Sequence, residues 1–234
     1  MKLLARRRDP ARMDWQVVHQ VSAWCLGYPD EQLFDRLDLM RAALDEQSPS
    51  TATAALRRFL EHAATADRTG LAQHYTDVFD LSRKRTLYLS YWSAGDTRRR
   101  GAVLGRFKQL YRDSGFLVNL QGELPDHLPI VLEFTALADA DRGTAILSDN
   151  RAALELIRFA LLDLDSPYAD ILTAVCATLP GQAPPDRASA MAMAAPQRPV
   201  ETVGLEPYDP RLLPLITDDP LTDPLRNNSA KAFR

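Results

Sequence analysis

The chain has 234 residues, 46% of them hydrophobic, and a formal net charge of −3 at pH 7. That length holds one domain with extensions or two small ones, and no apolar run reaches the ~20 residues a membrane span needs. The slightly acidic balance gives no global basis for nucleic-acid binding. Cys25 and Cys176, far apart and outside any C-x-x-C pair, read as packed thiols of a reducing compartment.

Residues 1–13 are basic and lack periodicity, which predicts a flexible arm. Arg6-Arg7-Arg8 superficially matches a twin-arginine export signal. However, Asp9, Pro10, Arg12 and Asp14 follow where an apolar segment is required, so the expected location is the cytoplasm. From Asp14, a plausible cap, Trp15, Val18, Val21, Ser22 and Cys25 recur at helical spacing as far as Leu26. Gly27-Tyr28-Pro29-Asp30 is a turn. Leu33, Phe34, Leu37, Met40, Ala43 and Leu44 mark a second helix, ended by Ser48-Pro49-Ser50. Leu56, Phe59, Leu60 and Ala63 mark a third, and Leu71, Tyr75, Val78 and Phe79 a fourth from Gly70 to Leu81. Arg83-Lys84-Arg85 then leads into a short aromatic segment, Thr86 to Trp92.

The stretch from Asp96 to Leu137 is the centre of the chain. Its first part is an amphipathic helix with Asp96 placed to cap it, Val103, Leu104, Phe107, Leu110 and Tyr111 on one face, and Gly115 placed to stop it. Its second part opens with Pro125-Asp126-His127 and becomes apolar on nearly every side, which places it in the middle of a bundle. Glu133 is the charged exception within it, and a carboxylate among such neighbours requires a partner. Beyond lie a helix over Ala145 to Leu164 and another that starts at Ser166-Pro167, with serine as cap, and runs to Leu179. Clean alternation and hairpin signals are missing. The expectation is an all-α, single-domain bundle of roughly eight helices over residues 14–179. Ten of the sixteen prolines fall after Leu179, so residues 180–234 are expected to form an extended, disordered tail.

Asp126-His127 invites comparison with metal-dependent phosphohydrolases, but those need the order His-Asp and further ligands. His19, His62 and His74 lack metal-ligand spacing, so no metal is expected. The plainer role is a helix N-cap by Asp126 with His127 hydrogen-bonded nearby. Glu133 could pair with Arg106 or Arg112, or line a groove for a basic peptide. Arg83 to Arg85 and Arg98 to Arg100 read as solvated faces; the second cluster sits at the helix end that disfavours cations, a hint of an acidic partner. Tyr75, Phe79, Tyr88, Tyr91 and Trp92 read mostly as core, with one or two free to line a recognition groove. No phosphate loop, nucleophile elbow or dinucleotide fingerprint marks a catalytic centre.

The residues of the central stretch carry a resemblance. Gly95-Asp96-Thr97-Arg98 through Gly101, Phe107-Lys108-Gln109-Leu110-Tyr111 and Ser114-Gly115-Phe116 resemble the nitrate reductase delta subunit (NarJ) family. Glu123-Leu124-Pro125-Asp126-His127-Leu128-Pro129 and Leu132-Glu133-Phe134 match its second signature, and Leu26 to Asp30 and the Tyr75 to Asp80 segment fit too. The similarity runs from about Trp15 to Leu179. It implies an all-helical chaperone, not an enzyme, that holds no cofactor of its own. Such a chaperone binds the N-terminal peptide of the immature catalytic (alpha) subunit of respiratory nitrate reductase. It keeps that subunit competent for molybdenum cofactor insertion before membrane docking. Proteins that deliver the cofactor are further implied partners; nucleic acid and membrane insertion are not.

By that analogy Glu123, Asp126, His127 and Glu133 belong to the peptide site. Tyr88, Tyr91 and Phe107 join it as an apolar wall on aromatic character and position. Protonation of His127 near neutral pH would tune capture. The rival readings are a chaperone of a dimethyl sulfoxide or trimethylamine oxide reductase, a metal-dependent helical hydrolase using Asp126 and His127, and a nucleic-acid binder.

Overall fold

Twelve α-helices make up the fold in a computed structural model that describes residues 15–95, 98–116, 118–120 and 122–194. The expected basic arm, the caps at Asp14 and Asp96, and the tail from residue 195 onward lie outside the described residues.

The first four helices are α1 (Gln16–Cys25), α2 (Glu31–Asp35), α3 (Leu37–Asp45) and α4 (Thr51–Thr65). They are followed by α5 (Arg68–Tyr75), α6 (Leu89–Ala94), α7 (Arg99–Asp113) and α8 (Leu128–Leu137). The last helices among the described residues are α9 (Ala140–Asp149), α10 (Arg151–Leu162), α11 (Tyr168–Ala177) and α12 (Arg187–Ala194). Short polar side chains set many of the starts, because the first N–H groups of a helix have no partner within it. Asp30 accepts from Leu33 N–H, Asp67 from Gly70 N–H and Asp139 from Arg142 N–H. Ser50 and Thr53 form a reciprocal capping box on α4. Gly115, at φ +77°, ends α7 as its sequence position predicts.

The count exceeds the expected eight for local reasons. The second expected helix divides at Arg36, whose ψ of −5° departs from helical geometry. The expected helix over Ala145 to Leu164 divides at Asn150. Its side-chain amide donates to the Ile146 carbonyl and ends α9. The aromatic segment forms α6. The fourth expected helix is α5 continued by one π-helical turn, Thr76–Asp80. The tail expectation needs correction over residues 187–194. These form α12, which packs on α10, buries Ala190 and is tied by Arg187 to Asp163 at 2.6 Å. Alanine and methionine favour helix there once the prolines have passed. Ser166 does not cap α11 with its side chain; its hydroxyl instead meets His74 Nε2 at 2.8 Å.

The core is built around α1, α8 and α11. Helix α1 packs on α8 and α11, α4 on α11, and α9 on α8. Tyr168 is fully buried and stands within 5.1 to 5.8 Å of Phe59, Phe79 and Tyr75, so Tyr75 and Phe79 take the core role. Both cysteines are free and buried, and burial pushes their thiols up. One charge cluster is internal. Glu155, fully buried on α10, lies 2.7 Å from Arg158 and 3.7 Å from Arg151, and Arg151 also donates to the Pro180 carbonyl.

Helix α8 is buried on most sides, but Glu133 and Leu137 are exposed on a shared stripe. The expectation of a Glu133 in need of a partner is therefore corrected: the face carrying it reaches solvent. Arg112 donates to the Lys108 carbonyl on its own helix.

Helices α8 and α9 approach closely because Gly143 has no side chain. A Cβ there would fall 2.2 Å from Thr135 Oγ1 and 2.6 Å from Thr135 Cα. Gly→Ala in a helix ordinarily stabilises by up to about 1 kcal/mol. Gly143→Ala is expected to destabilise instead, by about 1–3 kcal/mol of overpacking, read as a lower urea midpoint.

Candidate functional site

The signature from Glu123 to Leu128 does not cap its own helix. It is strapped across the start of α6, forming a two-residue antiparallel bridge between Tyr88 and His127. Leu128 N–H donates to the Leu87 carbonyl at 2.9 Å, and Leu89 N–H donates to the Asp126 carbonyl at 3.1 Å. Asp126 is fully buried, and its Oδ2 accepts from Ser90 N–H at 2.8 Å. It therefore caps α6 from 36 residues away in sequence, where α8 was the helix expected to receive it. No side chain caps α8, whose first turn contains Pro129.

Surrounding groups fix the strap. Tyr111, on α7, donates its hydroxyl to the Pro125 carbonyl at 2.6 Å, and its ring stands 4.8 Å from Phe134 on α8. Arg100 Nε donates to Ser90 Oγ at 3.1 Å, and Trp92 Nε1 donates to the Thr86 carbonyl at 3.1 Å. Three helices are thus joined through one irregular segment. Asp126 Oδ1 has no hydrogen-bond partner among the described residues. An unpaired buried oxygen costs stability, so the bonds made around it must hold the strap in place.

The outer side of the strap is polar. Tyr88 donates its hydroxyl to Glu123 Oε2 at 2.6 Å, and its ring lies 5.0 Å from the His127 ring at an angle of 32°. Arg100 Cζ sits 5.9 Å from the Tyr88 centroid. Partial burial, then the bond to Glu123, raises the Tyr88 phenol to about 12. Burial also lowers the His127 pKa, opposed by the nearby carboxylates Glu123, Asp126 and Asp80. At neutral pH the surface therefore presents an exposed carboxylate beside a neutral imidazole and a phenol.

Of the residues expected at a peptide site, Tyr88, Glu123, Asp126 and His127 come together, with Asp126 beneath the other three. Tyr91 is half-buried on α6. Phe107 is buried against Tyr111, 6.5 Å between ring centres. It supports the strap from inside and does not form a wall. Glu133 lies on the exposed side of α8. Arg100, Ser90 and Tyr111 were missed in the sequence, since only the fold brings them to the strap. Among the described residues no three His, Cys, Asp or Glu side chains are grouped to hold a metal ion, and no helix is long and apolar enough to cross a membrane.

The family model of the nitrate reductase delta subunit matches residues 44–174, which contain this site. The chain is 38% identical over 164 residues to the nitrate reductase-like protein NarX of Mycobacterium tuberculosis, covering 70% of this chain but 24% of that protein. It is 31% identical over 166 residues to a Bacillus subtilis protein named as a probable nitrate reductase molybdenum cofactor assembly chaperone, NarJ. That match covers 71% of this chain and 90% of the Bacillus protein. The Escherichia coli K12 chaperone of the same name is 31% identical over 146 residues, 62% of this chain and 61% of that one. The chain thus spans about a quarter of the mycobacterial relative and nine-tenths of the Bacillus one. A crystal structure of a candidate redox enzyme maturation protein from Archaeoglobus fulgidus shares the fold. Its TM-score is 0.52 at 21% identity, covering 75% of this chain and 97% of that one.

Two measurements test the site's construction. Asp126→Ala leaves the buried Ser90 N–H without its acceptor and is expected to cost about 1–3 kcal/mol, whereas Asp126→Asn, which keeps an acceptor oxygen, is expected to cost less. The lowered His127 pKa means that the unfolded chain binds the proton more readily, so stability rises with pH and is lost as pH falls below ~6.5. His74 is lowered in the same direction. His127→Gln is therefore expected to flatten part of that acid-side slope, measured by urea unfolding between pH 5 and 8.

Proposed function

The chain belongs to the nitrate reductase delta subunit family, and from that premise we propose that it is a nitrate reductase molybdenum cofactor assembly chaperone. It binds the N-terminal region of the immature catalytic subunit in the cytoplasm and keeps that subunit competent for cofactor insertion before membrane docking. Proteins that deliver the molybdenum cofactor meet it in this complex. The bound subunit, not the chaperone, receives the cofactor.

The observation that carries the reading is the convergence of Tyr88, Glu123 and His127 over a buried Asp126. An exposed carboxylate whose second oxygen remains available accepts a hydrogen bond from a lysine or arginine of a peptide, and such charge-assisted bonds are stronger than neutral ones. The Tyr88 hydroxyl holds Glu123 in one orientation, which reduces the ordering cost of capture. The Tyr88 and His127 rings offer flat surface beside that charge for an apolar residue or a guanidinium. Glu133, with Leu137 beside it on α8, adds a second acidic contact, and Tyr91 borders the approach along α6. Asp126 and Phe107 act as positioning residues by fixing the strap. Because the carboxylate is solvated, binding is modest and the client can be released.

His127 adds control by pH. Neutral imidazole leaves the Glu123 charge uncompensated for a cationic client. Protonation places a competing positive charge beside it and weakens capture as pH falls.

Calorimetric titration of the full chain with the N-terminal peptide of the nitrate reductase catalytic subunit tests the reading. A trimethylamine oxide reductase signal peptide is the control. Binding is expected to be selective for the first peptide, about tenfold weaker in Glu123→Gln and less affected in Glu133→Ala. Preference for the control peptide would reassign the client to another molybdoenzyme, and failure to bind either would remove peptide capture as the mechanism.

A further inference from the structure

Helix α12 is an unusual element of this bundle. Its sequence is Arg-Ala-Ser-Ala-Met-Ala-Met-Ala, and of its eight residues only Ala190 is buried. Met191 and Met193 are 47% and 40% exposed. A helix that short is not stable alone in water, so contact with α10 must hold it in place. The polar anchors are few. Asp186 caps its start by accepting from Ser189 N–H at 2.8 Å, and Arg187 pairs with Asp163, both side chains largely solvated. Surface ion pairs of this kind contribute little.

The surface beneath it is different in character. Ala152, Ala153 and Leu156 of α10 are each less than 9% exposed and form an apolar strip. That strip lines an open cleft of about 20 Å³, room for about one water, bounded as well by Trp92 and Ser93 of α6, Asn150, and Ala194 at the end of α12. Helix α12 packs on α10 and contributes Ala194 to the wall of this cleft without filling it. Helix α6 borders this cleft at one end and is capped by Asp126 at the other.

We propose that the α6–α10 face under α12 is a helix-docking surface, that α12 is its resident occupant, and that the N-terminal segment of the client subunit displaces it. This rests on the chaperone reading above. The seat of α12 defines the kind of partner. An incoming helix presents an apolar face to the Ala153–Leu156 strip, carries a cationic residue in its first turn for Asp163, and places a larger side chain in the cleft beside Trp92. Helix-in-groove capture has this pattern of spaced anchors. A longer helix with bulkier apolar residues buries more surface than α12 and gains the cleft as well, so it competes effectively despite the advantage of a tethered segment. Movement of α12 off α10 also links this face, through α6, to Tyr88 and Glu123. Empty and client-bound chains then differ in the seat of α12 while the core stays intact.

The test uses the full chain and an Ala190→Glu variant, in which a charge at the one buried position of α12 ejects it. Arg187→Ala serves as a milder second variant. In the original chain, saturating client peptide is expected to abolish amide-exchange protection of residues 187–194, and the peptide is expected to bind Ala190→Glu about tenfold tighter and Arg187→Ala about twofold tighter. A second probe is a synthetic peptide of residues 183–194 at millimolar concentration. It is expected to shift the Trp92 indole and the Ala152 to Leu156 amides of Ala190→Glu, and to leave the original chain unchanged.

If the client binds with α12 protection and affinity unchanged across the variants, displacement is wrong while the chaperone reading stands. If the client binds neither chain, the chaperone reading fails, and displacement with it. The synthetic segment still decides the docking surface in that case. Absence of any shift in Ala190→Glu overturns it.

Discussion

A carboxylate that caps a helix from another part of the chain organises this protein. Asp126 accepts the Ser90 N–H inside a fully buried environment, while the backbone on either side of it exchanges hydrogen bonds with Leu87 and Leu89. A buried N–H at a helix start and a buried carboxylate are each costly alone. Placed together, the N–H gains its acceptor and one carboxylate oxygen gains a donor, and the result is a fixed spatial relation between α6 and α8 that neither helix could impose. Tyr111 then ties α7 to the same strap through the Pro125 carbonyl. The irregular segment is therefore held to α6 and α7 as well as leading into α8, and the outward positions of Tyr88, Glu123 and His127 follow from it.

Burial divides the charged groups into two kinds. Asp126 and Glu155 are both inside; Asp126 joins the strap to α6, whereas Glu155 pairs with Arg151 and Arg158 of its own helix, and Arg151 extends the link to Pro180, where the chain turns toward α12. Glu123 and Glu133 are outside and leave acceptor capacity for another molecule. The same side-chain chemistry thus serves structure or recognition according to solvent access. Residue type alone does not distinguish them. The aromatic residues divide in the same way: Tyr75, Phe79 and Tyr168 pack together in the core, Phe107 supports Tyr111, and Tyr88 combines an apolar ring with a hydroxyl committed to Glu123.

Much of the helical pattern was legible in the sequence. The periodic apolar positions of α1, α4 and α7 fall on the expected segments, as do the turn at Gly27 and the stop at Gly115; the caps by Asp30 and Ser50 emerged only with the structure. Elements defined by weak local signals were harder. The breaks at Arg36 and Asn150 lack proline or glycine, and α6 is too short to establish a period. Helix α12 was obscured by the proline-rich composition around it, although residues 187–194 themselves contain no proline. For Glu133, the apolar sequence on both sides suggested burial, but a narrow stripe of a helix can face solvent while the positions three residues away, Ile130 and Ala136, stay buried. Leu137 is exposed with it.

Sequence by itself determined the all-helical class and the positions of most of the longer helices, because periodicity is a local property of a chain; it nominated Glu123, Asp126 and His127 through the family resemblance and Tyr88 through aromatic character. Only the tertiary structure decided which helix Asp126 caps, that Glu133 faces outward and Phe107 inward, and that α12 rests on α10. Those outcomes depend on which groups meet across long sequence separations and on how much water remains around each. A buried carboxylate finds the nearest unsatisfied N–H in space, and here that group was 36 positions away.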